Sequence, residues 1–499
     1  MKKILGIIVI IAVFAVSIYL ILHLPRQKKI PIMREESPIT SGGSEEWLGI
    51  FLQGQRVGYS FTRISRADTG MTVENRSMMT LLMMHERRTL TTHLFAHTDS
   101  DFTLKDFIME IRTPGHPTRI EGIIKGTELT LTSYSHDMSH TQTIILKEKP
   151  YFPEAIEEVI KTKNLKSGDE IGIPYFDPTT QSSGVARIRV FDREKVNVHD
   201  QELIGMRIEI DYMGINSILW LDDNYRLIKE TSPAMALEML PLSREEALAE
   251  IDPSESFDLL SFFAVKLEKP IPDPRTLSYL RLELTDITTE GLDLADDYQN
   301  LIQKEPIIVE TYLPGLDDLS DLSIPISQKK EFLAPSVYIQ CENPEIVSKA
   351  DELVGNEKNA KKVVATLVAG VYNLLEKNPT ASLPSAIDVL RTKEGDCNEH
   401  SILFTALARA KGIPTKILVG LVNLQGSAYY YHAWCAVWLG EWVPVDPTLN
   451  QFPADVGHLK LKEGEIAEQA QVLKVVGRLH IKALEYKVQR KFAQRKNGL

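Results

Sequence analysis

The chain has 499 residues, a net charge of −12 at pH 7 and three cysteines. Its length exceeds one ordinary hydrophobic core and predicts roughly two to four domains. The acidic balance argues against a general nucleic-acid-binding protein, which would carry a basic face. Because the number of cysteines is odd, at least one thiol has no disulfide partner within the chain.

Residues 1–25 predict a membrane helix. Residues 4–22 form an uncharged apolar run that is long enough, as a helix, to cross a bilayer. No small-residue cleavage site follows the run, so we expect an uncleaved signal anchor. Basic residues flank both ends, so the positive-inside rule is nearly balanced. The short N-terminal head favours a single-pass protein whose bulk is periplasmic or otherwise extracytoplasmic.

Residues 26–46 contain prolines and the stretch "SGGSEE", which predict a linker. Residues 47–254 consist of period-two segments separated by turn residues, which predicts a largely antiparallel, half-barrel-like β domain. Its hairpin turns are expected at Gln53-Gly54 and Lys125-Gly126. Residues 255–340 predict a less regular second β segment.

Short helices are expected within the β domain at residues 153–162 and from Ser243, where Glu246 completes a capping box.

The acidic stretches at residues 293–297 and 315–323 raise the possibility of calcium binding. They lack the spaced D-x-D-x-D-G pattern of a calcium loop, so a solvated acidic surface is the favoured interpretation.

Helical periodicity begins at Asn343-Pro344, an N-cap followed by proline. Two or three helices are followed by a helix at residues 397–411 and by three strands. Residues 341–460 therefore predict an α+β unit with helices preceding an antiparallel sheet. Residues 461–499 add one strand and a basic tail, which is interpreted as a solvated face in preference to a membrane-surface contact.

The stretch "EGDCNEH" places Cys397 in the first turn of that helix, with Asp396 as N-cap and Glu399 completing a capping box. The helix start favours a thiolate and lowers the pKa of a cysteine from its usual value of about 8.5. Its N–H groups could also form part of an oxyanion hole. The two carboxylates disfavour a thiolate, so a cationic partner is required.

His432 and Asp446 are the candidates for activating this thiol. An imidazole can accept the thiol proton, and a carboxylate can fix its tautomer and orientation. Asp446 reaches the face of His432 only if the connection between their strands has an odd number of residues. We therefore predict a connection such as Leu439–Glu441, with Trp438 opposite Trp442.

Zinc is an alternative, because "CNEH" and "HAWC" have the spacing of two ligand pairs. Period two places His432 and Cys435 on opposite faces of a strand, however, and this argues against a shared ion. We predict neither a metal nor a cofactor.

His400, one helical turn from Cys397, is expected to be a packing residue or a neighbour of the site rather than the base.

The stretches "GDCNEHSILFTALARAKGIPTKILVGLV" and "YYYHAWCAVWLGEWVPVDPT" resemble the transglutaminase-like superfamily. Its pattern is a G-x-C helix start, an H-A-W strand and a W-x-x-x-D-P-T strand. The resemblance covers about residues 343–460 and implies a papain-like fold. It also implies that Cys397 is the nucleophile, His432 the general base and acid, and Asp446 the orienting residue.

The hairpin at residues 54–59, with its G-x-x-x-G-Y pattern, is similar to that of bacterial membrane-anchored members. The expected fold class is α+β, with an N-terminal membrane helix, an antiparallel β region and a C-terminal transglutaminase-like domain. The expected activity is acyl transfer on protein or peptide amides. A non-catalytic envelope binding or assembly protein that keeps the fold is the alternative. The substrate and the oligomeric state are not predicted.

Overall fold

The computed structural model describes residues 43–489 with gaps, of which the longest are residues 252–263, 378–384 and 466–471. The described residues divide into two compact units, residues 43–251 and 264–489. The predicted membrane helix at residues 1–25 and most of the predicted linker lie outside the described residues. Within the described ranges, no helix has both the length and the apolar character needed to span a bilayer.

The first unit contains one antiparallel sheet of 14 strands. Its strands are β1 (Ser44–Leu52), β2 (Gln55–Ala67), β3 (Gly70–Met83), β4 (Glu86–Thr98), β5 (Leu104–Thr113), β6 (His116–Lys125), β7 (Glu128–Ser135), β8 (Met138–Ile145), β9 (Glu170–Asp177), β10 (Ser182–Val198), β11 (Gln201–Tyr212), β12 (Ile215–Leu221), β13 (Leu227–Ser232) and β14 (Leu237–Pro241). Their spatial order runs from β8 down to β1 and continues from β14 down to β9, so β1 pairs with β14.

Local sequence explains this unit well. Along β1 the side chains of Leu48, Ile50 and Leu52 are fully buried, at the alternate positions that face one side of a sheet. Gln53 and Gly54 both have positive φ and form the two-residue turn to β2, as predicted, because that geometry matches the twist of a hairpin. Two short helices, α1 (Ile156–Thr162) and α2 (Arg244–Leu248), are also confirmed, and α2 begins with the predicted capping box.

The second unit contains two main sheets. Their strands, together with a two-residue parallel pair (β19 and β20), are β15 (Val265–Lys266), β16 (Leu277–Thr285), β17 (Gln299–Lys304), β18 (Ile307–Tyr312), β19 (Glu376–Lys377), β20 (Glu394–Gly395), β21 (Thr415–Asn423), β22 (Ala428–Trp438), β23 (Trp442–Val445), β24 (His458–Glu463) and β25 (His480–Val488). The five-stranded sheet has the order β15-β22-β21-β24, and β23 also pairs with β22. The four-stranded sheet has the order β17-β18-β16-β25.

The strand predicted in the C-terminal tail is present as β25 and pairs with β16. Sequence periodicity predicts β21, β22, β23 and β25 individually, but it carries no information about which strands pair. The chain segments predicted separately as residues 255–340 and 461–499 therefore share one sheet.

Helices α3 (Pro344–Val354), α4 (Ala360–Leu374), α5 (Ala386–Thr392) and α6 (Cys397–Ala410) precede β21 to β23, in the predicted order. The predicted N-cap of α3 is confirmed, since the side chain of Asn343 accepts a hydrogen bond from the Glu345 N–H. Helix α6 packs against α3, α4 and α5 as well as β21 and β22. Every residue of α6 from Cys397 to Ala408 is buried, so its first turn is fixed by packing on all sides.

Candidate active site

The start of α6 is closed by the predicted capping box. The Asp396 carboxylate accepts the N–H of Asn398 at 2.9 Å, and Glu399 reaches back to accept the N–H of Asp396 at 2.9 Å. The Glu399 N–H also bonds to the Asp396 side chain. These two first-turn N–H groups are therefore engaged by the cap.

The thiol of Cys397 lies against β22. Its side chain is 1% exposed, and the N–H of Ala433 donates a hydrogen bond to its sulfur. Burial, with further contributions from Asp396 and Glu399, raises the pKa of this thiol well above its usual value. The predicted lowering of the pKa is thus wrong for this arrangement, because desolvation and the two carboxylates outweigh the helix dipole.

The connection between β22 and β23 has the odd length that the sequence predicts. Trp438 pairs with Trp442, so the loop comprises the three residues Leu439–Glu441. Pairing continues to Cys435 and Val445, which are directly opposite each other. The next residue of the chain, Asp446, therefore points to the face of the sheet opposite to Cys435, which is the face of His432.

His432 and Asp446 meet on that face. His432 Nε2 lies 2.7 Å from Asp446 Oδ2, and both side chains are completely buried. Asp446 Oδ1 accepts the N–H groups of Thr448 at 2.7 Å and Leu449 at 3.0 Å. Although burial alone would raise the pKa of Asp446, the two histidines beside it hold that pKa well below its usual range. The carboxylate is therefore ionised and oriented.

The second of these histidines is His458, on β24, which the sequence analysis did not select. Its Nε2 lies 3.0 Å from Asp446 Oδ2, and its Nδ1 lies 3.3 Å from Asp455 Oδ1. Although burial alone would lower its pKa, the hydrogen bonds to Asp446 and Asp455 raise the pKa of His458 to about 10. The alternation of "HLKLKE" places His458 and Lys460 on one face of a strand, and only the structure shows that this face is buried, with the two residues 2% and 1% exposed.

His400 stays apart from this pair, as expected. It is buried on α6, and its Nδ1 lies 2.6 Å from the carbonyl oxygen of Asp396. Burial lowers the pKa of His400 to about 4, so its imidazole is neutral near pH 7.

Cys435 faces α6, where its sulfur lies 3.5 Å from Thr405 Oγ1, while His432 occupies the other face. The four-ligand zinc set is therefore not assembled.

A different set of metal-type ligands does converge among the described residues, namely His432, Asp446 and His458. The two nitrogen–oxygen separations, 2.7 and 3.0 Å, are hydrogen-bond lengths. Ligands about 2.0–2.1 Å from a tetrahedral zinc ion would be about 3.3 Å apart. Direct hydrogen bonding accounts for this geometry without an ion.

In the acidic stretch at residues 293–297, Asp296 neutralises two buried lysines, Lys416 and Lys460. Asp296 Oδ2 lies 2.8 Å from the Nζ of Lys416 and 2.9 Å from that of Lys460. All three side chains are buried, so a solvated surface is the wrong interpretation for Asp296. The neighbouring Asp297 accepts the N–H of Trp442 at 2.7 Å and so fixes the start of β23, which leads to Asp446.

Residues 347–447 match the model of the transglutaminase-like superfamily, and the matched range includes Cys397, His432 and Asp446. The chain contains a transglutaminase-like domain. This domain starts within α3 and ends just after β23, so it includes the helix start and the two strands described above. The sequence resemblance to this superfamily is therefore confirmed.

No curated protein sequence matches the chain significantly. Among solved structures, a candidate cysteine protease from Cytophaga hutchinsonii is similar to the chain, with 17% identity and a TM-score of 0.28, over 46% of this chain and 86% of that one. A candidate protease from Parabacteroides distasonis has 10% identity and a TM-score of 0.19, over 66% of this chain and 64% of that one.

Proposed function

We propose that this chain is a membrane-anchored cysteine enzyme that transfers acyl groups from protein or peptide amides through a thioester on Cys397. The observation that carries the proposal is the buried hydrogen bond of 2.7 Å between His432 and Asp446. The residue after His432 donates its N–H to the sulfur of Cys397. The second ring nitrogen, His432 Nδ1, is buried without a hydrogen-bond partner in the described part of the chain and is the proton acceptor in this proposal.

The proposed reaction uses the imidazole twice. His432 Nδ1 takes the proton of the Cys397 thiol as the sulfur attacks the carbonyl carbon of the amide. The imidazolium then gives that proton to the leaving nitrogen, so an amine departs and a thioester remains. Water or a second amine attacks the thioester, loses its proton to His432 and releases the thiol. Water yields a carboxylic acid, and an amine yields a new amide.

Mass spectrometry tests the proposal directly. The full chain in detergent micelles is incubated with a mixture of bacterial envelope peptides and a biotinylated alkylamine. New peptide termini indicate hydrolysis, whereas amine adducts formed with loss of ammonia indicate transamidation. We expect one of these products with the wild type and neither with Cys397→Ala. Identical products from the two proteins would show that the acyl-transfer proposal is wrong.

The burial of the thiol favours a second candidate function. With its side chain 1% exposed and its pKa raised, Cys397 is closed off from solvent in the described arrangement. An envelope binding or assembly protein that keeps the transglutaminase-like fold needs no access to this residue. Under that alternative, Cys397→Ala leaves the biological activity of the protein unchanged.

The membrane anchor rests on the sequence of residues 1–25. We expect the full chain to remain in the membrane pellet after extraction with alkaline carbonate, while a variant lacking residues 1–25 is recovered in the supernatant. With the bulk outside the cytosol, a protease added to spheroplasts should degrade the full chain. Protection of the chain in intact spheroplasts, with degradation only after lysis, would reverse the proposed orientation.

A further inference from the structure

His458 and Asp455 form a second histidine–aspartate pair, which is joined to the pair of His432 and Asp446 through the Asp446 carboxylate. Asp446 Oδ2 is shared by His432 and His458. His458 Nδ1 in turn lies 3.1 Å from the backbone carbonyl oxygen of Asp455 and 3.3 Å from its Oδ1. The Asp455 carboxylate accepts the side-chain N–H of Gln451 at 2.9 Å and the N–H of Gly457 at 2.9 Å. The result is a continuous buried chain of hydrogen bonds.

We propose that His458 is a positioning residue for the acyl transfer proposed above, because it fixes the carboxylate of Asp446 and, through it, the imidazole of His432. The inference rests on that proposed function. His458 does not touch the reacting atoms, so its effect reaches them only through Asp446.

The hydrogen-bond partners of His458 determine its protonation. Nε2 faces a carboxylate oxygen, and Nδ1 faces a carbonyl oxygen and a second carboxylate oxygen. Oxygen atoms of these types only accept hydrogen bonds, so both ring nitrogens must carry a proton. The resulting imidazolium makes charge-assisted bonds to Asp446 and Asp455, which are stronger than neutral ones. Its raised pKa agrees with this assignment.

The surroundings of His458 contain no competing charge among the described contacts. The aromatic neighbours are the rings of His432, at 5.8 Å between centroids, and Trp434, at 5.2 Å. On the backbone, His458 pairs with Val422 of β21. The titratable groups in contact with it are Asp446, Asp455 and His432. Lys460 lies on the same face of β24, where Asp293 and Asp296 neutralise its charge.

Two functions of His458 follow from this arrangement. It supplies a second hydrogen bond to Asp446 Oδ2, which prevents rotation of the carboxylate away from His432. It also places a positive charge beside Asp446, which offsets the negative charge of that carboxylate at the reacting groups. One function depends on a hydrogen bond and the other on charge, so two substitutions can separate them.

The experiment uses the full chain and p-nitrophenyl acetate, an activated ester that acylates nucleophilic thiols. Leucine at position 458 removes both the hydrogen bond and the charge, whereas glutamine retains an N–H donor without the charge. For His458→Leu we expect kcat to fall about 10- to 100-fold at unchanged KM, by analogy with the loss of groups that orient a metal-ligating histidine. For His458→Gln we expect most of kcat to return, with the acid limb of the pH–rate profile displaced to higher pH.

His480→Gln is the matched control, because His480 also pairs with an aspartate, Asp286, but on the surface. It should change neither kcat nor the pH profile. If His458 acted only through packing, His458→Gln would lower the amount of folded protein. The folded fraction of that variant would then keep the acid limb of the wild-type pH–rate profile. An unmoved acid limb in that variant therefore overturns the inference, even if His458→Leu does not fold.

Cys397→Ala separates this inference from the proposed function. If the wild type hydrolyses the ester no faster than Cys397→Ala, both the acyl transfer and the role of His458 are wrong. If the wild type is active and Cys397→Ala is not, the proposed function stands. Equal rates for the wild type and His458→Leu would then overturn the positioning role alone.

Discussion

At the scale of single residues, the thiol of Cys397 is held in its neutral form. A helix start by itself favours a thiolate, but burial and the adjacent carboxylates of Asp396 and Glu399 oppose it. A thiolate–imidazolium pair that is already formed before substrate binds is therefore disfavoured in the described arrangement. In the mechanism proposed above, the proton therefore moves to His432 as the sulfur attacks, with His432 as the proposed general base.

Replacement of the thiol gives the first prediction. Cys397→Ala should lower the rate of ester or amide turnover at least about 1,000-fold, because the proposed acyl intermediate forms on the Cys397 sulfur. The matched control is Cys341→Ala, a buried cysteine whose sulfur donates to the Leu333 carbonyl oxygen. The control should retain full turnover, measured with p-nitrophenyl acetate. Comparable losses in both variants would indicate a general effect on folding.

Asp446→Asn gives the second prediction. The amide is nearly the same shape as the carboxylate but presents an N–H group or a neutral oxygen to His432, so the imidazole loses its preferred tautomer and the support of its cationic form. We expect kcat to fall about 1,000- to 10,000-fold, as for the equivalent change in serine proteases. Steady-state kinetics measures the fall. A variant that remains folded and retains a tenth of the wild-type kcat would contradict an orienting role for Asp446.

At the scale of elements, the register of β22 and β23 decides whether a site can form. A strand reverses its two faces when its register slips by one residue. The three-residue loop Leu439–Glu441 sets that register and puts Asp446 on the side of His432. Helix α6 contributes the other component, because its capping box fixes the position of Cys397 at the first turn.

Loop insertions test this dependence and give the third prediction. One glycine inserted after Gly440 makes the connection even, which should turn Asp446 to the wrong face or force a bulge, with a loss of at least about 1,000-fold in turnover. Two inserted glycines keep the parity odd and should cost less than about 1 kcal/mol of stability, with activity retained. Turnover and thermal unfolding of both variants measure the difference. Equal activity in the two would show that loop parity does not control the site.

The buried ion network that supports β21, β23 and β24 gives the fourth prediction. Asp296→Ala removes the buried carboxylate that contacts both Lys416 and Lys460 and leaves them only part-exposed carboxylates, so it should lower the free energy of unfolding by about 3 kcal/mol. Asp293 contacts the same Lys460 but is 38% exposed, so Asp293→Ala should cost no more than about 1 kcal/mol. Urea unfolding compares the two variants. A smaller effect of Asp296→Ala than of Asp293→Ala would contradict the network.

At the scale of the whole molecule, the buried charges link stability to pH, which gives the fifth prediction. The folded-state pKa values of Asp446 and Asp455 lie below their usual value of about 3.9, so their contribution to stability is present above about pH 4 and is lost as the pH falls. The pKa of His458 is raised to about 10, so its contribution is complete below about pH 6.5 and is lost as the pH rises toward 10.

The lowered pKa of His400, about 4, adds a contribution that is complete above about pH 6.5 and is lost as the pH falls toward 4. We therefore expect the second unit to be most stable near pH 6.5, with declines on both sides. Thermal unfolding across this pH range measures the profile. His458→Gln should flatten the alkaline decline, because glutamine has no proton to lose. An alkaline decline as steep in that variant as in the wild type would assign the effect to other groups.

The local features of the site follow from short stretches of the sequence. Capping chemistry at Asp396 and Glu399 fixed the start of α6 at Cys397, and period two fixed the face of His432. These rules act over a few residues, so they can be applied without knowledge of distant contacts. The requirement for an odd connection before Asp446 followed from the same periodicity.

The electrostatics of the site depend on contacts between residues that are far apart in the sequence. The second partner of Asp446 is His458, and the lysines opposite Asp296 lie 120 and 164 residues away along the chain. The energy of a charge depends on its burial and on its nearest partner in space, and neither is written in the local pattern of residues. For the same reason, the helix start predicted a lowered pKa for Cys397, whereas packing around α6 raised it.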